Sequence, residues 1–174
     1  MARKYFGKFK TTLLFLAVIG GAWVLMRWVN PAEIIVINGK QVSVIDGDSF
    51  RDADMEYRIY GIDAPEYRQS CKNAAGQDWP CGKQARAALE ESLGAGEYSC
   101  DVHARDQYGR TIVTCVSDDK DLGAHMVAEG HAISSDNFDQ VIYGAEEAQA
   151  ENAKRGIWQG TFEKPSSWRA SHPR

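Results

Sequence analysis

Residues 31–160 are predicted to fold as an α+β domain, a small closed β-barrel of five strands with about three helices. Three observations predict it. Short alternating runs rich in Val, Ile and Tyr are each ended by Gly, Pro or Asp; one stretch of helical periodicity lies among those runs and two follow them; and four cysteines are spaced to tie neighbouring segments together.

Residues 1–30 stand apart from that domain. Thr11 to Met26 is an uncharged run of 16 residues, about 24 Å of helix. With Arg27 snorkelling and Trp28 and Val29 added, the run reaches 19 residues, enough to cross a hydrocarbon core of about 30 Å. Arg3, Lys4, Lys8 and Lys10 precede the run and Arg27 closes it, which places the N-terminus inside by the positive-inside rule. Val18-Ile19-Gly20 and Gly20-Gly21-Ala22 also offer small residues suited to a processing site. The segment is therefore expected to be either a single transmembrane anchor or a cleaved signal. Both put the domain outside the cytoplasm, on the periplasmic or cell-surface side.

Within the domain, Gln41 to Ile45 alternates and then meets the turn signal Asp46-Gly47. Met55 to Ile62 reads as a strand that Pro65 forbids from pairing further. Glu97–His103 and Thr111–Val116 are expected to pair as a hairpin. The inserted helix carries Ala85, Ala88, Leu89, Ser92 and Leu93 on one face and stops at Gly94. A second helix is expected from about Asp121 to Glu129, ended by Gly130. A third runs from about Asp139 to Lys154, with Ile142, Ala145, Ala148 and Gln149 on its inward face. Strands with one inserted helix and helices after them suit a barrel of the OB type. Trp158 is expected to plug the core behind the last helix; residues 161–174 form a C-terminal tail, of which Trp168 to Arg174 is polar and expected to be frayed.

The four cysteines contain no C-x-x-C pair, which speaks against zinc and, after an export segment, for two disulfides. Cys100 and Cys115 lie symmetrically about Gln107-Tyr108, so a hairpin turning there sets the two sulfurs opposite each other. Cys71 and Cys81 are then left to clip the loop between them.

The formal net charge is −4, but residues 1–30 are wholly basic among their charges, leaving 15 basic against 24 acidic residues in 31–174. A domain near −9 is not built as a counterion-releasing DNA binder. It remains compatible with an enzyme whose positive potential is confined to a bound cation and a few arginines.

Three stretches concentrate such chemistry: Ile45-Asp46-Gly47-Asp48-Ser49, Arg58 to Glu66, and Asp106-Gln107-Tyr108-Gly109-Arg110. Asp63 and Glu66 bracket Pro65, which holds their backbone in one extended path. Hard oxygen donors of this kind suit Ca²⁺ or Mg²⁺ rather than zinc. Guanidinium groups stabilise charge that builds on a phosphate, and a carboxylate beside the metal can take a proton from water.

In this order and spacing the three stretches resemble the staphylococcal nuclease family, whose D-G-D-[TS], R-x-x-x-[VI]-D-[TA]-P-E and D-x-Y-G-R motifs are matched at every charged position. The resemblance runs from about Val42 to Trp158 and includes the closing Arg155-Gly156-Ile157-Trp158. It implies an OB barrel with one Ca²⁺ bound by the carboxylates of Asp48 and Asp63 and the main-chain carbonyl of Ala64. Glu66 would orient or deprotonate the attacking water, Arg58 and Arg110 would hold the phosphate, and Tyr108 would contact the nucleotide. The implied activity is cleavage of DNA and RNA with little sequence preference, leaving 3′-phosphate ends, by a monomer without a protein partner. Ala64 and Ser49 stand where the family carries threonine, and the tyrosines that meet the nucleotide have no counterpart in His131 to Phe138. The alternative is a membrane-tethered OB module that binds nucleic acid or protein without catalysis.

Overall fold

The computed structural model describes residues 3–29, 33–94, 96–135 and 142–173. The chain divides into two units, Met1–Glu33 and Ile34–Arg174. The first is the helix α1 (Arg3–Val29), whose described side chains, from Thr12 to Leu25, are all exposed. Among the described residues no helix is long and apolar enough to cross a membrane. The transmembrane reading of residues 1–30 is thus left without support among the described residues.

In the second unit, β1 (Ile34–Asn38), β2 (Ser43–Val44), β3 (Ser49–Asp52), β4 (Met55–Ile59), β5 (Ile62–Asp63), β6 (Cys71–Lys72) and β7 (Asp78–Trp79) lead to α2 (Cys81–Gly94). Strands β8 (Glu97–Arg105), β9 (Thr111–Ser117) and β10 (Lys120–Asp121) lead to α3 (Leu122–Ala128). The chain ends through β11 (Ile133–Ser134), α4 (Gly144–Asn152), a 3₁₀ turn at Gly156–Gln159 and α5 (Pro165–Ser171).

The α+β class is as expected, but among the described residues the main sheet holds seven strands rather than five, and no ladder joins its end strands β1 and β2 into the closed barrel expected. The sheet follows the order β1-β8-β9-β4-β3-β2, with β10 on β9. It is mixed, since β4 and β9 run parallel while its other ladders are antiparallel. The Met55–Ile62 run divides into β4 and β5 because Gly61 turns the chain at φ +77°. That corner sends β5 off the sheet to pair with β11.

Sheet and helices close over Phe50, Ile59, Val113, Leu89, Leu93 and Met126, all essentially inaccessible. Helix α2 buries Ala85, Leu89 and Leu93, the face its periodicity predicts. Helix α3 is capped by Asp121, whose side chain accepts from the Ala124 N–H at 3.0 Å, and the chain leaves it at Gly130 with φ +71°. The expected inward face of α4 is overturned: Ala145, Ala148 and Gln149 are exposed, and the buried positions are Tyr143 and Ala150. The helical phase is set by Tyr143, whose hydroxyl donates to Asp121 at 2.9 Å, and by Glu147, which accepts from the Ser134 N–H at 3.3 Å. Residues 139–141, where the helix was expected to begin, lie outside the described residues.

A smaller apolar cluster gathers Cys71, Cys81, Ile133 and Ile157, with Trp79, Trp158 and Phe162 packed against it. It gives Trp158 its expected packing role and anchors the C-terminal segment. That segment is strapped to Gln69 and Lys72 by Lys72 N–H to Thr161 O at 2.8 Å and Gln69 Nε2 to Glu163 O at 2.7 Å, and the expected fraying from Trp168 is overturned, since residues up to Ser171 are helical and Arg169 is bonded to Asp63. It then forms α5, with Pro165 in its first turn.

Both disulfides form as expected, Cys71–Cys81 and Cys100–Cys115, the latter across the register pair of β8 and β9. The second bridge closes a loop of separation 15. Replacing Cys100 and Cys115 together by Ala is expected to lower the unfolding free energy by about 3 kcal/mol. The denaturant midpoint measures it; an unchanged midpoint would show that the bridge adds nothing to the hairpin.

Candidate active site

The site begins with the turn between β2 and β3. Ile45 N–H donates to Ser49 O at 2.9 Å, and Asp46 folds its carboxylate back on the turn, accepting from the Asp48 N–H at 3.2 Å and from the Ser49 hydroxyl. Asp46 therefore spends one oxygen on shaping the turn, and Asp48 is left to face across the sheet. Gly47 permits the approach, since a Cβ there would meet those of Ala64 and Ala85 at 2.7 Å.

The β3–β4 ladder sets Arg58 opposite Ser49. From there its guanidinium donates to Asp48 Oδ1 at 2.9 Å and to Asp63 Oδ1 at 3.1 Å. Asp48 Oδ2 accepts from the Ala64 N–H at 3.1 Å, so the turn after β2 is joined to the residues that follow β5. Asp48 and Asp63 are 2 % and 3 % exposed, which makes this a buried ion cluster rather than a surface salt bridge. Burial pushes the Asp48 carboxyl well above its ordinary value, while Arg58 and the Ala64 N–H pull it down and Asp46 and Asp63 push it further up. Burial also opposes the charge on Arg58, but the carboxylates of Asp48, Asp63 and Asp46 outweigh it and hold the guanidinium more firmly protonated.

Glu66 follows Pro65 at the rim, with its N–H donated to Gln69 Oε1 at 3.2 Å. Gln69 is itself buried. Behind Glu66 lies Gly82 in the first turn of α2, so close that a Cβ would stand 1.8 Å from the Glu66 carbonyl oxygen. The backbone of Glu66 is thus clamped between α2 and a buried amide.

One further residue enters the site that the motifs did not predict. Arg169 of α5 donates from Nη1 to Asp63 Oδ1 at 2.9 Å and Glu66 Oε1 at 3.1 Å, and from Nη2 to Asp63 Oδ2 at 3.2 Å. Burial opposes its charge too, but the hydrogen bonds and charges of Asp63 and Glu66 hold it more firmly protonated than a free guanidinium. Pro165 in the first turn of α5 was a readable helix signal. Nothing in the polar residues 166–174 marked Arg169 for Asp63, 106 positions earlier.

Asp48, Asp63, Glu66 and Arg58 are therefore brought together through Arg58 and Arg169, with Ala64 buried beside them. Arg110 is not part of this ion cluster. Its guanidinium is committed to Asp106 within its own hairpin, at 2.7 Å, and lies 5.5 Å from the centre of the Tyr108 ring. Tyr108 itself is 76 % exposed.

Among the described residues no three Asp, Glu, His or Cys side chains are arranged to hold a metal ion. The oxygens that a cation would use are bonded to Arg58 and Arg169 instead. The donor chemistry nevertheless fits a hard divalent cation: Asp46, Asp48, Asp63 and Glu66 face Arg58 and Arg169, leaving a formal excess of two negative charges.

Compared with known proteins, the chain matches the family model described as staphylococcal nuclease homologue over residues 56–160. It is similar to the succinoglycan biosynthesis protein ExoI of Rhizobium meliloti (strain 1021), 35 % identical over 120 residues, covering 68 % of this chain and 63 % of that protein. A probable staphylococcal-like nuclease of Oryza sativa subsp. japonica is 28 % identical over 132 residues, 75 % of this chain and 37 % of that one. A probable endonuclease of Verticillium alfalfae is 31 % identical over 126 residues, 64 % and 42 %. The chain thus spans less than two thirds of the length of each of these relatives.

The Asp106–Arg110 pair makes the hairpin tip sensitive to acid. Burial pushes the Asp106 carboxyl up, but hydrogen bonds from the Arg110 side chain and from the backbone N–H groups of Arg110 and Tyr108 hold it below its ordinary 3.8. A depressed folded value stabilises the fold above the unfolded value and is lost as pH falls toward the folded one. The stability difference between wild type and Asp106→Asn is therefore expected to be constant at neutral pH and to shrink as pH falls below about 4. Denaturant unfolding across that range measures it; a difference that does not change with pH would remove the ionised pair from the hairpin's stability.

Proposed function

Because the chain belongs to the staphylococcal nuclease family, we propose that it is a Ca²⁺-dependent phosphodiesterase that hydrolyses DNA and RNA with little sequence preference, leaving 3′-phosphate ends. The observation that carries this reading is the convergence of Asp48 and Asp63 on Arg58, with Glu66 at the rim of the same cluster. Two of the relatives are named as nucleases, in keeping with it.

One Ca²⁺ would be held by Asp48, Asp63 and the Ala64 carbonyl, and when bound it supplies positive charge against the non-bridging oxygens of the phosphate. Glu66 takes the part of general base. Its backbone is clamped by Gln69 and α2, so its carboxylate is held at a defined place with 13 % of the side chain open to water. Arg58, already oriented by two carboxylates, offers donors to the phosphate as negative charge builds there. Arg110 is oriented by Asp106 and reaches the substrate from the hairpin side, with the exposed Tyr108 ring beside it to meet the nucleotide.

We place this activity outside the cytoplasm, with residues 1–30 as the export segment. The two disulfides, which persist in oxidising compartments, support that placement.

The purified protein is expected to degrade single-stranded DNA and RNA in the presence of Ca²⁺ and to stop when the metal is chelated. Glu66→Gln is expected to lower turnover by about 100- to 10,000-fold with melting temperature and circular dichroism unchanged. Wild-type turnover in this variant would remove Glu66 from the mechanism.

A further inference from the structure

The C-terminal segment returns to the active site by a route that fixes its arrival. After the 3₁₀ turn, residues 161–164 are hung on Lys72 and Gln69 by the Lys72–Thr161 and Gln69–Glu163 hydrogen bonds, and Phe162 packs edge-on against Trp158 with ring centres 5.1 Å apart. This strap delivers α5, whose seven residues present Arg169 to both oxygens of Asp63 and to Oε1 of Glu66.

The contact is chemically exclusive. A guanidinium carries only donors, and each N–H takes a carboxylate lone pair that a cation would otherwise use. Arg58 and Arg169 together already engage both oxygens of Asp63, and Oδ2 is taken by Arg169 alone, so an ion reaches that oxygen only by displacing Arg169. Occupation of Asp63 by Arg169 and by a divalent ion are therefore competing states. Apart from this contact, α5 is lightly held. Pro165 is its one buried residue, and Trp168 and His172 stack on each other with ring centres 4.3 Å apart. An element with so little buried surface can leave at small cost while the strap before it stays anchored.

We propose that α5 is a cation-responsive latch: Arg169 occupies the cation subsite in the metal-free protein, ties down Glu66, and is displaced when a divalent cation takes Asp63. This rests on the reading of Asp63 as a cation ligand made under Proposed function. The latch adds a second guanidinium to the buried Asp63 carboxylate, beside Arg58, and it keeps Oε1 of Glu66 engaged until the ion arrives. By linkage, Arg169 weakens the ion by the same factor as the ion weakens Arg169.

Two measurements on the full chain test it without recourse to activity. In calorimetric titration with CaCl₂, Arg169→Gln is expected to bind the ion about 5-fold to 150-fold more tightly than wild type, the usual span of such couplings. In hydrogen exchange of the wild type, which requires no variant, amides of residues 166–172 are expected to exchange faster when Ca²⁺ is added. Equal or weaker Ca²⁺ binding by Arg169→Gln, the result if Arg169 merely holds the carboxylates in place, overturns the latch and leaves the cation site standing. Unchanged or slower exchange of α5 in the presence of bound Ca²⁺ overturns it as well. If neither protein binds Ca²⁺, the cation reading itself fails and the latch with it.

Discussion

The arrangement of this domain depends on one half-buried guanidinium, that of Arg58, held between the buried Asp48 and Asp63. The two carboxylates come from the turn after β2 and from β5, and the arginine from the strand between them. Taking such groups out of water costs several kcal/mol per ion unless each finds a partner. The cluster is therefore stable only when both corners are in place. Because the same contact positions the Ala64 N–H and, through Pro65, the entry to Glu66, the geometry of the site and the closure of the fold are a single constraint.

That constraint also lets an acidic protein gather positive groups at one place. The domain's formal excess of acid is large, yet at the site guanidinium groups stand among the carboxylates and a third, Arg110, is set on the neighbouring hairpin. Local potential depends on this placement and not on the sum over the surface. The carboxylates in turn are crowded enough for burial and mutual repulsion to raise Asp48. Such crowding is relieved by whatever cation the site holds, whether guanidinium or metal.

Much of this was legible in the sequence where short-range physics decides. The symmetric placing of Cys100 and Cys115 predicted a hairpin and its bridge, since cross-strand register follows from the position of the turn. The spacing of Ala85, Leu89 and Leu93 gave the buried face of α2 directly. Where long-range contacts decide, legibility ended. The inward face of α4 is chosen by hydrogen bonds from Tyr143 to Asp121 and from Ser134 to Glu147, which no periodicity of its own residues reveals. Division of the Met55–Ile62 run at Gly61 turned an apparent long strand into a corner that carries Asp63 away from the main sheet. Helix α5 is polar and short, and its importance lies in one contact with residues more than 100 positions away. The motifs named the carboxylates and Arg58, whereas Arg169 could be found only in three dimensions.

The central claim is that these carboxylates form the seat of one divalent cation. Its most direct test is a crystal structure of the protein grown or soaked in CaCl₂. One ion is predicted about 2.3–2.6 Å from oxygens of Asp48 and Asp63 and from the Ala64 carbonyl, with Arg58 still paired to the carboxylates. Saturating calcium with no ion among these residues, or an ion held only elsewhere on the domain, would contradict it.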